Sequence, residues 1–79
     1  MKAQVMVKLK HGVLDPQGKA IEGSLHTLGF ADVAAVRQGK MFDIELKTED
    51  SNKAREILDA ISKKLLANTV IEDFEIRLV

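Results

Sequence analysis

Two histidines, an Asp-Pro step and a pair of cations are the residues of this chain with the most chemistry to offer. His11 and His26 are its only histidines, and it has no cysteine. His11 sits in the connector Lys10-His11-Gly12-Val13-Leu14-Asp15-Pro16-Gln17-Gly18, with no second histidine at a ligand spacing, so no metal residues are expected. His26 falls on the polar side of a helical stretch, where water solvates it. No serine lies in a nucleophile motif, and there is no Gly-x-x-x-x-Gly-Lys-Ser/Thr phosphate loop. Catalytic and cofactor-binding residues are therefore expected to be absent, which leaves binding. Arg37 and Lys40 flank Gln38-Gly39. If that dipeptide turns a hairpin, the two cations face each other across its tip, an unfavourable placement for like charges. Either an acidic partner surface or a phosphate compensates them, or they are two solvated cations at a turn. Arg37, Lys40 and, in the connector, His11 are the candidate partner contacts.

Helices and strands must position these groups. Val5, Val7 and Leu9 alternate with polar residues, the period of a half-buried strand. Asp15 is placed to cap a helix and Pro16 to open it, its missing N–H costing nothing at the first position. Gly12 suggests a turn with positive φ, and Gly18 a close approach to a neighbouring strand. Ile21, Leu25 and Leu28 share one side of that helix, Gly29 ends it, and Gly23 lies on the other side. The runs 32–37 and 40–46, separated by Gln38-Gly39, read as a hairpin with Gly39 in the turn. Its register is self-consistent: Ala35 opposite Phe42 and Val33 opposite Ile44 point inward, while Val36 opposite Met41 and Ala34 opposite Asp43 point outward. Thr48, Asp50 and Ser51 offer caps for a second helix whose buried stripe is Ala54, Ile57, Leu58, Ile61 and Leu65. Asp59 and Lys63 form an i,i+4 pair on its outer side. Asn68 suits a left-handed cap. Phe74, Ile76 and Leu78 alternate in a last strand.

The order βαββαβ predicts an α+β, ferredoxin-like fold: one domain over residues 1–79, a four-stranded antiparallel sheet and both helices on one face. Met6, Val36 and Met41 would then form a modest apolar patch on the open face, the candidate oligomer interface. A chain of 79 residues buries only roughly 60% of its unfolded surface, and self-association is a common remedy. Twelve basic residues balance twelve acidic ones, which argues against nucleic acid and membrane surfaces as partners. No run has the length or apolar character of a signal or membrane span, so a cytoplasmic protein is expected. The open face lacks the aromatics of RNA-recognition domains. A ligand-binding regulatory domain of ACT type is the alternative that composition leaves standing.

Beyond periodicity, four segments carry a resemblance: Val7-Lys8-Leu9-Lys10 through Gly12-Val13-Leu14-Asp15-Pro16-Gln17-Gly18, Leu28-Gly29-Phe30, Val36-Arg37-Gln38-Gly39-Lys40, and Leu65-Leu66-Ala67-Asn68-Thr69-Val70-Ile71-Glu72. Together they resemble the PurS family, the small subunits of phosphoribosylformylglycinamidine synthase. Thr69 departs from the proline usual there. The resemblance implies a non-catalytic subunit of purine (IMP) biosynthesis that forms dimers or tetramers. It would bridge a glutaminase subunit and a large synthetase subunit so that ammonia passes between them. The complex would use ATP, magnesium and glutamine, with none bound by this chain.

Overall fold

The computed structural model describes all 79 residues, Met1–Val79. Three strands, β1 (Lys2–Leu9), β2 (Gly39–Glu45) and β3 (Glu72–Leu78), form one antiparallel sheet in the order β2-β1-β3. Helix α1 (Pro16–Thr27) lies between β1 and β2, and α2 (Ser51–Ile61) between β2 and β3. β1 is the central strand, and its alternation puts one face inward. Ala3, Val5 and Val7 are buried, and Val5 stands between Phe42 of β2 and Ile76 of β3. Above this face lie Ala54 and Leu58 of α2, both fully buried, with Phe74, Ile76 and Leu78 packed at the margin. Asp50 caps α2 by accepting from the Asn52 and Lys53 amides, and Lys63 pairs with Asp59 at 2.9 Å on the outer side.

The sheet has three strands, not the expected four. Residues 33–38 contain neither strand, turn nor bend. Only the two ends of this segment are engaged: the Val33 amide donates to the Phe30 carbonyl, His26 Nε2 lies 2.7 Å from the Val33 carbonyl, and the Gln38 amide donates to Asp15. No hairpin turn exists, so Gly39 is not a turn residue. It opens β2 opposite Lys8, so close to β1 that a Cβ would stand 2.7 Å from the Val7 carbonyl oxygen.

The helices do not share one face of the sheet. α2 covers the sheet, whereas Gly18 is the only buried residue of α1. With its return segment to residue 38, α1 projects as an arm, and the molecule measures 48 × 25 × 14 Å. Two expectations fail near the end of α2. A π-helical turn (Ser62–Leu66) follows it, and its wider winding, with the Ala67 amide donating to the Ser62 carbonyl five residues back, shifts the phase, leaving Leu65 81% exposed while Leu66 is half-buried. Asn68 does not adopt positive φ. Its side chain accepts from the Val70 amide, and its carbonyl accepts from the Ile71 and Glu72 amides, turning the chain into β3 without a left-handed residue.

Candidate functional site

The connector from residue 10 to 18 folds into a clasp that sets where the arm leaves the sheet. Gly12 takes φ +89°, the left-handed turn its type permits. Asp15 caps α1 with one carboxylate oxygen on the Gly18 amide at 2.9 Å, and Pro16 begins the helix as expected. The other oxygen accepts from the Gln38 amide at 2.6 Å, bridging 23 positions along the chain. That Gln38 amide, then the Gly18 amide and the Arg37 charge, hold the Asp15 carboxyl below its ordinary range, against the opposing effect of burial. Gly18 is where α1 meets the return segment. A Cβ there would run into the Val36 carbonyl oxygen and the Asp15 carboxylate. The close approach expected of Gly18 is thus present, to an irregular segment and not to a strand.

Arg37 closes the clasp. Its guanidinium donates to the Val13 carbonyl at 2.8 Å and the Lys10 carbonyl at 3.1 Å. Lys40 is turned elsewhere. It opposes Val7 on the inner sheet face, 3.8 Å from the Glu72 carboxylate and 5.9 Å from the Phe42 ring centre. The two cations therefore do not form one charged tip, because no hairpin brings them opposite each other. Beside the clasp is a polar hollow of about 230 Å³ lined in part by Gln17, Gln38, Lys40 and Glu72. Glu72 also accepts from the Asn68 amide at 2.7 Å. Its role was not apparent in the sequence, where it is one acid among several at the start of a strand.

His11 is exposed, and His26 contacts the Val33 carbonyl. No group of three or more His, Cys, Asp or Glu side chains is placed for a metal ion. Met6 and Met41 are cross-strand partners on the outer face, but Val36 does not join them because its segment is not in the sheet. The larger apolar surface is on and around the arm: Leu14 and Leu28 are each 71% exposed and Phe30 58%. Leu28-Gly29-Phe30 was the signal for it, an apolar pair astride a helix terminus.

A small sheet body bearing a clasped arm with exposed apolar residues defines an α+β protein. The family model for PurS, described as phosphoribosylformylglycinamidine (FGAM) synthase, matches residues 2–79. The phosphoribosylformylglycinamidine synthase subunit PurS of Methanocaldococcus jannaschii is 47% identical over 76 residues, 96% of this chain and 92% of that protein. The crystal structure of M. jannaschii PurS superposes with a TM-score of 0.88 over 96% of this chain and 92% of that one. A chain in the structure of PurLQS from Thermotoga maritima superposes with a TM-score of 0.90 at 33% identity, covering 99% and 95% of the two chains. The chain belongs to the PurS family.

Proposed function

We propose that this chain is the non-catalytic PurS subunit of phosphoribosylformylglycinamidine synthase, an ATP-dependent glutamine amidotransferase of purine biosynthesis. In this reading it joins a glutaminase subunit to a large synthetase subunit and supports passage of ammonia between them. The assembly uses ATP, magnesium and glutamine, which the partner subunits bind, and works in the cytoplasm. The chain also associates with copies of itself. One observation carries the reading: nearly the whole chain superposes on a chain of the T. maritima PurLQS structure. That agreement leaves the ACT-type alternative without a feature of its own.

Reconstitution with the two partner subunits tests it. Omitting the chain is expected to abolish glutamine-dependent amidine synthesis while ammonia-dependent synthesis by the large subunit continues. Undiminished glutamine-dependent synthesis without it would overturn the bridging role.

A further inference from the structure

Between α2 and β3 the chain forgoes two local stabilisations. Ala54, Leu58, Ile61 and Leu65 keep helical spacing, yet the π-helical turn carries Leu65 out of that stripe into solvent. The Ser62 hydroxyl, buried at the start of the turn, has no hydrogen-bond partner within the chain, and a buried polar group left unpaired loses its solvation without return. Turns of this kind are rare and frequently mark functional sites. Past the turn Val70 is as exposed as Leu65, and Ile71 is partly so. The backbone that carries them is tied down along its length. Ala67 is buried, and its amide donates to the Ser62 carbonyl. The Asn68 amide donates to the Glu72 carboxylate, and the Lys10 amide donates to the Ile71 carbonyl at 2.8 Å. Apolar side chains held on a fixed backbone lose little freedom on binding.

Charge indicates the occupant. The whole chain balances twelve bases with twelve acids, but residues 60–71 contain Lys63 and Lys64 and no acid. Lys10, joined to Ile71 through its amide, adds a cation at the same connection. The neighbouring carboxylates are already engaged, Asp59 with Lys63 and Glu72 with Lys40. Lys10 and Lys64 enter no ion pair. Leucine and valine edged by unpaired cations fit an apolar socket edged by Asp and Glu side chains. So few cations supply little of the phosphate neutralisation on which nucleic-acid binding depends.

We propose that the α2–β3 connection, centred on Leu65 and Val70 with Lys64 and Lys10 at its rim, docks into a carboxylate-edged apolar socket on a different protein, an enzyme subunit of the assembly described above. The apolar pair supplies affinity, and the lysines supply orientation and speed of encounter. This rests on the bridging reading and specifies the surface it uses. None of these residues belongs to α1 or its return segment, so variants here leave the arm intact.

Binding of wild type, Leu65→Ser/Val70→Ser and Lys64→Glu to each purified partner subunit, and to both together, is measured by calorimetry at low and high salt. Far-UV spectra and light scattering are recorded for each chain alone. The substituted side chains are all exposed, so spectra and mass should match wild type. The double variant should bind about tenfold more weakly or worse. Lys64→Glu should bind more weakly at low salt, with its difference from wild type shrinking at high salt. Wild-type affinity in both variants would overturn the surface and leave the bridging reading standing. A wild type that binds neither subunit would overturn both. A double variant whose own mass falls below that of wild type would give the surface to a second copy. A wild type that cosediments with phosphatidylglycerol vesicles, where the double variant does not, would give it to a membrane. Either result would overturn the proposal.

Discussion

The sheet body and the arm contain the same kind of patterned sequence with opposite outcomes. In the body, Ala3, Val5 and Val7 alternate along β1 and are all buried, with partners on both sides and Leu58 above them. In the arm, Ile21, Leu25 and Leu28 keep helical spacing just as faithfully, yet Gly18 is the only buried residue of α1. Periodicity states which side of an element is to be covered and is silent about what covers it. The contrast separates residues that hold the chain together from apolar residues that stay exposed on it.

The largest expected effect is in the body. Leu58→Ala opens a cavity in a fully buried site and should destabilise by about 2–5 kcal/mol, a large part of what a domain of this size has. Urea denaturation should show the midpoint collapsing toward zero. Next comes the junction of the two regions. Gly18→Ala forces a Cβ against the Val36 carbonyl and the Asp15 carboxylate, and overpacking of this kind is worth about 1–3 kcal/mol. The same change at Gly23 meets nothing within 4 Å and should stabilise by about 1 kcal/mol. Thermal melts of the two variants should therefore move in opposite directions.

A smaller, pH-dependent effect belongs to Asp15. Its folded pKa lies below the ordinary value of 3.8, so its charge contributes stability that is fully present above that pH. The contribution is lost as pH falls through the folded value. Asp15→Asn should lower Tm at neutral pH, and its difference from wild type should shrink below about pH 4; a difference unchanged down to pH 2 would refute the assignment. The smallest effect is expected from Lys40→Ala. Its 3.8 Å pair with Glu72 is more than half exposed on the lysine side, and such pairs are worth about 0–1 kcal/mol. Tm should scarcely change.

Much of this was legible in the sequence. The Asp15-Pro16 cap, the positive φ at Gly12 and Gly29, the Asp50 cap and the Asp59–Lys63 pair are set by neighbours within a few residues, and all are present. Local spacing failed where distant groups compete. The hairpin reading of residues 32–46 depended on Gln38-Gly39 turning back, but the Gln38 amide is taken by Asp15 and residue 37 by the clasp. Leu65 was misplaced because one π-helical turn changes the phase of every later residue, and Ser62 took an inward position that an aliphatic spacing would not assign to serine. The pairing of Arg37 with Lys40 failed with the hairpin on which it rested.

The division of labour between body and arm is tested most directly by the mass of the double variant Leu28→Ser/Phe30→Ser in sedimentation equilibrium, with its far-UV spectrum recorded on the same sample. Both residues are exposed in the single chain, so the variant should keep the wild-type spectrum and sediment as one chain of 8.7 kDa at concentrations where wild type is at least dimeric. A variant that retains the wild-type mass would contradict the account, because the arm's apolar residues would then not be what joins the copies.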